Sequence, residues 1–320
     1  MKMFLTGGTG FFGKAILRQL MEEYKDVDTK FSVTVLSRYP NRFLKKNPEF
    51  SNQPWLKFYC GDICKLESLP LGMKFTHVLH AATDSTLGPL LSPSERFAQI
   101  IDGTKNILQF THECGAKRFL LTSSGGVYGP QPSELACINE DQNTIPDPLV
   151  ANNAYSIAKR AAENLCVIYA EEFNFEVVIA RCFAFIGEDI PLDVHFAVGN
   201  FLRDALSGVD ITVNGDGSPV RTYLDQRDLA KWLLKLMASG KSGEAYNVGS
   251  DEVITIAELA NLIRDMVNPN LKVQITQSKN EGNFRNRYVP DITKAKTELG
   301  LSIAYTLRQS LEKVIGAKNK

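Results

Sequence analysis

The segment Thr6-Gly7-Gly8-Thr9-Gly10-Phe11-Phe12-Gly13 constrains the fold of this chain more than any other stretch. Ahead of it runs Met1-Lys2-Met3-Phe4-Leu5, short and mostly apolar, which predicts a buried strand. Behind it Phe12, Ala15, Ile16 and Leu20 recur at helical spacing, which predicts a helix. A strand, a glycine-rich turn and a helix in direct succession make a phosphate cradle. The glycines let the backbone turn tightly and approach a pyrophosphate. The helix start offers N–H groups at the positive end of its dipole. The flanking strand and helix are the context that gives the glycines this meaning. Gly7, Gly10 and Gly13, with Phe11 and Phe12 between the last two, are therefore expected to hold a pyrophosphate.

The alternation continues. Phe31-Ser32-Val33-Thr34-Val35-Leu36 reads as a second strand, rich in β-branched residues. It ends at Ser37-Arg38, where dinucleotide folds place either an acid for the adenosine ribose or an arginine for a 2′-phosphate. With no carboxylate there, charge favours NADP over NAD. Trp55–Tyr59 predicts a third strand, followed by Gly61-Asp62-Ile63; Asp62 also reads as a cap. His77–His80 opens a fourth strand that runs into Ala81, Ala82 and Thr83, small residues that let backbone pass close to a cofactor. His77 and His80 themselves read as structural. Ser92-Pro93-Ser94-Glu95 is a helix start, with serine as cap, proline first and glutamate three after the cap. Phe97, Ile100, Ile101, Ile107 and Leu108 continue that helix, and Arg118–Thr122 predicts a fifth strand. The expected fold is α/β, a doubly wound parallel sheet with helices on both faces. The stretch 129–153 is rich in Gly, Pro and Asn and too long for a mere connector, which marks it as functional. No internal repeat or low-complexity segment interrupts the chain.

At 320 residues the chain has room for about two domains. Lys plus Arg and Asp plus Glu both number 36, so the basic footprint of a nucleic-acid binder is missing. An anionic ligand must be held by local arginines and helix ends. The first strand leaves no space for a signal peptide, and no apolar run is long enough for a membrane, so a cytoplasmic location is expected. Cys60, Cys64, Cys114, Cys137, Cys166 and Cys182 are scattered and read as reduced, small core residues. Cys60 and Cys64 with His77 and His80 have the wrong spacing for a structural zinc site, and no metal is expected.

Chemistry concentrates in two places. Thr122-Ser123-Ser124-Gly125-Gly126-Val127-Tyr128-Gly129 follows a strand end, where open α/β sheets hold ligands. Tyr155-Ser156-Ile157-Ala158-Lys159 puts Tyr155 and Lys159 on one helix face. A nearby ammonium lowers the pKa of a phenol, so Tyr155 could exchange a proton with a substrate hydroxyl while hydride moves. Ser124 is placed to hydrogen-bond the same substrate oxygen.

With Gly7-x-x-Gly10-x-x-Gly13 upstream, this combination resembles the extended short-chain dehydrogenases/reductases of the NAD-dependent epimerase/dehydratase family, over essentially the whole chain. The resemblance implies a Rossmann domain at 1–182 plus about 225–253 and a substrate domain at 183–224 plus 254–320. It implies a dinucleotide along Gly7 to Gly13, Ser37, Arg38, Asp62, Ile63, Ala81 and Ala82, with Lys159 on the nicotinamide ribose. It also implies a homodimer through helices at about 93–110 and 155–172. Val178–Gly187 resembles the family's next strand, with Ala184 where an Asn is usual. Gly215–Leu224 resembles the segment whose arginine, here Arg221, grips a nucleotide diphosphate; Arg285 or Arg287 resembles a second such arginine. Tyr246-Asn247-Val248-Gly249 matches a further strand. Thr83, Ser124, Asn200, Arg221 and Arg287 are the expected substrate contacts. His195, Phe196, Asn200 and Phe201 lie at the family's nucleotide pocket, although a helix from about Phe196 explains the aromatics as core.

One departure narrows the reaction. Sugar-nucleotide 4,6-dehydratases of this family carry Asp-Glu directly after the catalytic hydroxyl residue, and UDP-glucuronate decarboxylases carry a Glu there. Here the pair is Gly125-Gly126. What the resemblance leaves is epimerisation or 4-keto-sugar reduction at C4 of a nucleotide-diphosphate sugar. The alternatives are an extended reductase of a non-nucleotide carbonyl and a dinucleotide-binding sensor without turnover.

Overall fold

The structure is a computed structural model and describes residues 1–24, 31–83, 90–192, 196–278 and 286–318. In chain order the elements are β1 (Lys2–Thr6), α1 (Phe11–Glu23), β2 (Ser32–Ser37), α2 (Pro40–Lys46), β3 (Leu56–Cys60), β4 (His77–His80), α3 (Pro93–Glu113), β5 (Arg118–Ser124), α4 (Ala154–Phe173) and β6 (Glu176–Cys182). There follow β7 (Phe185–Ile186), α5 (Ala197–Leu206), β8 (Ile211–Val213), β9 (Val220–Thr222), β10 (Leu224–Asp225), α6 (Gln226–Ser239), β11 (Glu244–Val248), β12 (Val253–Thr255), α7 (Ile256–Val267), β13 (Val273–Ile275), β14 (Arg287–Tyr288), α8 (Thr293–Leu299) and α9 (Leu307–Lys318).

The chain divides into two compact units. The first comprises Met1–Gly129, Ile145–Cys182 and Ala230–Tyr246; the second comprises Pro130–Thr144, Phe183–Leu229 and Asn247–Lys320.

The first unit carries a seven-stranded sheet in the order β11-β6-β5-β4-β1-β2-β3. Every neighbouring pair from β3 through to β6 is parallel. This is the doubly wound Rossmann arrangement. The chain winds outward from β1 through β2 and β3, then restarts on the other side at β4. The carboxyl ends of β1 and β4 flank the switch point where such sheets hold ligands. Met3, Phe4 and Leu5 of β1 are all fully buried. Parallel strands are covered on both faces, which is why β1 reads as a continuous apolar run instead of an alternating one. Between the sheet and α3, Phe4 packs against Phe75 and Phe110 with ring centroids 5.1 and 4.7 Å apart. Ser92 and Glu95 form the expected reciprocal cap at the start of α3. Ala158 and Ala162 of α4 are fully buried, and small residues there let α4 approach the sheet and α3 closely.

In the second unit β9 lies between antiparallel β12 and parallel β14. The segment before Ile145 is knitted to the chain near its C-terminus. Ile138 N–H donates to the Val289 carbonyl (2.9 Å), Asp291 N–H donates to the Ile138 carbonyl (2.7 Å), and Asn247 Nδ2 donates to the carbonyls of both Ile138 and Asp291.

The cysteines divide. Cys114, Cys166 and Cys182 are buried as expected, but Cys60, Cys64 and Cys137 are exposed. Cys60 ends β3 and Cys64 follows it in a turn, where the chain emerges from the sheet, so apolar neighbours in sequence misjudge their burial. Among the described residues no helix is long and apolar enough to cross a membrane.

Candidate active site

The glycine segment forms the cradle its spacing predicts. Gly7 has φ +73°, and Gly10 N–H donates to the Gly7 carbonyl (3.1 Å). A Cβ on Gly7 would lie 2.4 Å from the Ala81 carbonyl oxygen, so Gly7 and Ala81 are in direct backbone contact. A Cβ on Gly13 would lie 2.2 Å from Gly8 Cα, which shows how closely α1 crosses the turn. At Gly10 a Cβ would meet only the Gly7 oxygen, at 3.5 Å. Gly10 is the N-cap of α1, provides no side-chain cap, and no acid sits in the first turn. The open side of the cradle thus presents helix N–H groups with no competing carboxylate, which fits a pyrophosphate.

Behind the cradle lies a polar chain. Thr6 Oγ1 is 2.7 Å from His80 Nδ1 and accepts from Ala82 N–H (3.2 Å). His80 Nε2 is 3.4 Å from Thr104 Oγ1. The histidine has structural partners that no local spacing reveals. Burial, with a smaller effect from the Lys159 charge, pushes its pKa down from 6.5 to about 3. A folded-state pKa below the unfolded one means the unfolded chain takes up the proton first as pH falls. This stabilisation is therefore complete above about pH 6.5 and is lost towards pH 3. His80→Asn is expected to flatten the fall in melting temperature between pH 6.5 and 5; an unchanged slope would show that His80 does not carry it.

Along the rest of the expected dinucleotide path, Ser37 Oγ at the end of β2 accepts from Tyr39 N–H (3.3 Å), and Arg38 beside it is exposed. Asp62 Oδ1 accepts from Cys64 N–H (3.0 Å), so Asp62 closes a turn. Ile63 lies against Gly103 of α3, and its carbonyl accepts from Asn106 Nδ2 (2.9 Å).

Ser124 ends β5, and its hydroxyl accepts from Gly126 N–H (3.1 Å); it acts on the Tyr155 phenol of α4 so as to lower its pKa. One turn on, Lys159 is 3% exposed; Nζ donates to Thr83 Oγ1 (2.7 Å) and to the Thr122 carbonyl (2.9 Å). The structure thus brings Ser124, Tyr155, Lys159 and Thr83 together at the carboxyl ends of β4 and β5. Burial brings the Lys159 ammonium down to about 8 and raises the Tyr155 phenol above its ordinary value; the Ser124 hydroxyl and the Arg96 guanidinium act the other way on Tyr155.

Two partners of this group escape the sequence motifs. Glu163, one turn beyond Lys159, accepts from Ser123 Oγ (2.6 Å) and from Arg181 Nε and Nη2 (3.1 and 2.9 Å). Arg181 Nη1 reaches the Tyr128 hydroxyl (3.0 Å). This network braces β5, α4 and β6 behind the site, and the i+4 step from Lys159 to Glu163 is the signal that finds it. Arg96 of α3 stacks on the Tyr155 ring, its guanidinium carbon 4.2 Å from the centroid. No spacing rule points to it.

In the second unit, Arg221 Nη1 donates to the carbonyls of Val220 (2.8 Å) and Asn286 (3.0 Å), and Arg287 Nε and Nη2 both donate to the Ala136 carbonyl. In the β9–β14 register Arg221 pairs with Tyr288 and Arg287 with Val220, so the two arginines leave opposite faces of that sheet. Asn200 of α5 accepts from Arg203 Nη1 (3.3 Å), and Phe201 is buried. The Ala184 carbonyl accepts from Leu224 N–H (3.0 Å). His195 and Arg285 lie outside the described residues.

A Rossmann sheet with a glycine cradle at its switch point and a Ser–Tyr–Lys group at a neighbouring strand end defines a dinucleotide-dependent oxidoreductase-type site. The family model for the NAD dependent epimerase/dehydratase family matches residues 3–249. The chain is 30% identical over 312 residues to UDP-glucuronic acid decarboxylase 4 of Arabidopsis thaliana, covering 97% of this chain and 67% of that protein. Among solved structures it resembles dTDP-glucose 4,6-dehydratase of Streptomyces venezuelae with NAD bound (TM-score 0.84, 24% identity, 100% of this chain and 97% of that one). It also resembles UDP-glucose 4-epimerase of Thermotoga maritima with UDP-glucose (TM-score 0.82, 22% identity, 100% and 99%). The chain belongs to the NAD-dependent epimerase/dehydratase family and is an NAD(P)-dependent enzyme of the extended short-chain dehydrogenase/reductase type.

Proposed function

We propose that this enzyme transfers hydride at C4 of a nucleotide-diphosphate sugar, either inverting that carbon or reducing a 4-keto-sugar. The observation that carries this reading is the convergence of Ser124, Tyr155, Thr83 and the buried Lys159 at the carboxyl ends of β4 and β5. A bound nicotinamide dinucleotide supplies the hydride acceptor and donor. Gly7, Gly10 to Gly13, Ala81, Ala82, Asp62 and Ile63 are the residues to hold it, with Lys159 at the ribose. Ser37 and Arg38 at the end of β2, without a carboxylate, favour NADP. Tyr155 holds or receives the proton of the C4 hydroxyl, and Ser124 orients that oxygen by hydrogen bonding. Asn200 and Arg221 are assigned to the nucleotide diphosphate, with the guanidinium fork suited to phosphate oxygens; Arg287, which leaves the opposite face of the β9–β14 sheet, is not.

Sequence relatives that decarboxylate UDP-glucuronate, and neighbours that dehydrate dTDP-glucose, raise the question of chemistry beyond C4. Such reactions need a further acid or base beside the catalytic hydroxyl. This chain has Gly125-Gly126 there, so no side-chain acid or base follows Ser124 in those positions. That favours chemistry at one carbon. A non-nucleotide carbonyl is the second reading, favoured by Ala184 in place of the family's Asn.

The test begins with mass spectrometry of small molecules retained by the purified protein, followed by thermal shift with UDP, dTDP, GDP and CDP. At least one nucleoside diphosphate is expected to raise the melting temperature by a few degrees at saturation. If none does, the non-nucleotide reading replaces this one. Carbon dioxide and a UDP-pentose from UDP-glucuronate would overturn the restriction to C4.

A further inference from the structure

We propose that Arg96 is a positioning residue that favours the ionised form of Tyr155 by acting on its ring face, and so sets the pH range in which the site works. This rests on the reading of Tyr155 as the acid/base. The guanidinium carbon lies 4.2 Å from the ring centroid, over the ring. That places a positive charge against the ring over which a phenolate spreads its negative charge, and a close opposite charge favours the ionised form. A ring face attracts a cation already, and it does so more strongly once the phenol carries a negative charge.

The placement of Arg96 is built. The reciprocal Ser92–Glu95 cap, with Pro93 at the first helical position, fixes the first turn of α3. Arg96 follows directly. α3 and α4 pack along each other, so this turn faces the start of α4, where Tyr155 is the second residue. Arg96 is half-buried, which shields its charge from solvent.

The groups acting on Tyr155 come from three other elements: Arg96 from α3, the Ser124 hydroxyl from β5 and Cys182 from β6; Lys159 lies one turn along its own helix. Ser124 is neutral. Burial pushes the Cys182 thiol up to about 12, so it too is neutral over the working range. Lys159 commits two of its three ammonium donors to Thr83 and the Thr122 carbonyl, and burial brings it down to about 8, so its charge fades as pH rises through the alkaline range. A guanidinium keeps its proton throughout. The two cations therefore divide the work: Lys159 holds the strand ends and the ribose position, and Arg96 supplies the charge that persists.

The test is an ultraviolet titration of phenolate without substrate, taken as the difference between each protein and its Tyr155→Phe counterpart. In Arg96→Gln the Tyr155 midpoint is expected to rise by about one pH unit. The alkaline-rising limb of turnover should move by the same amount, about tenfold in rate at neutral pH. Arg96→Lys should restore most of both. If Arg96→Gln fails to fold, Arg96→His retains a planar group that loses its charge in the alkaline range, and its midpoint should rise likewise. A midpoint unchanged in the folded charge-removing variant overturns the proposal, as does a turnover profile that stays put while the midpoint moves. Normal turnover of Tyr155→Phe itself would instead overturn the acid/base reading, and the titration would still report what Arg96 does to Tyr155.

Discussion

Tyr155→Phe is expected to lower turnover by about 10²–10⁴-fold with KM nearly unchanged. The substitution removes one oxygen and keeps the ring. The Arg96 stack needs the ring face, and the contacts of Lys159 to Thr83 and Thr122 do not involve Tyr155. What disappears is the group proposed to exchange the proton of the reacting hydroxyl. An interaction used in the transition state and not in ground-state binding shows in turnover and spares KM. The measurement is hydride transfer by the purified variant on whichever nucleotide sugar the wild type converts, with nucleotide affinity by calorimetry as control. Near-normal turnover would remove Tyr155 from the chemistry. Lost nucleotide affinity would mean the hydroxyl binds rather than reacts.

The parts of this molecule that sequence makes legible are those determined locally. The glycine cradle, the buried strands and the Ser92–Glu95 cap each depend on residues within a few positions, so spacing finds them. The Tyr155–Lys159 pair is legible for the same reason. What stays hidden depends on pairings across the sheet. His80 looks partnerless because Thr6 is 74 residues away and Thr104 is 24 away. Arg96 and Tyr155 meet only because α3 and α4 pack side by side. Spacing points to Lys159, one turn away, as the nearby cation, and does not show that two of its donors go to Thr83 and the Thr122 carbonyl. Arg221 and Arg287 look like a pair in sequence, but the register between β9 and β14 sends them to opposite faces.

Three alanine substitutions in the cradle are expected to divide by what a single methyl group touches. Gly13→Ala puts Cβ 2.2 Å from Gly8 Cα, and Gly7→Ala puts it 2.4 Å from the Ala81 oxygen in a residue with φ +73°. Both contacts are with backbone, which cannot swing aside, so α1 or the β1–β4 edge must shift. Overpacking against fixed atoms costs about 1–3 kcal/mol or more, and at Gly7 the left-handed backbone adds about 1–2 kcal/mol. Gly10→Ala meets only the Gly7 oxygen, at an ordinary 3.5 Å. It is expected to change stability by no more than about 1 kcal/mol, the scale of an N-cap substitution. Its methyl group would nevertheless stand on the open side of the cradle, over the N–H groups of α1, where it obstructs the approach of a phosphate. Gly10→Ala should therefore fold and melt like the wild type and lose dinucleotide affinity about tenfold or more. Gly7→Ala and Gly13→Ala should lose melting temperature first, with affinity following. Melting curves and dinucleotide titrations on all three separate packing from binding. If Gly10→Ala binds dinucleotide normally, the pyrophosphate does not lie on this face of the helix. If it unfolds as readily as Gly13→Ala, the open side is closed in solution.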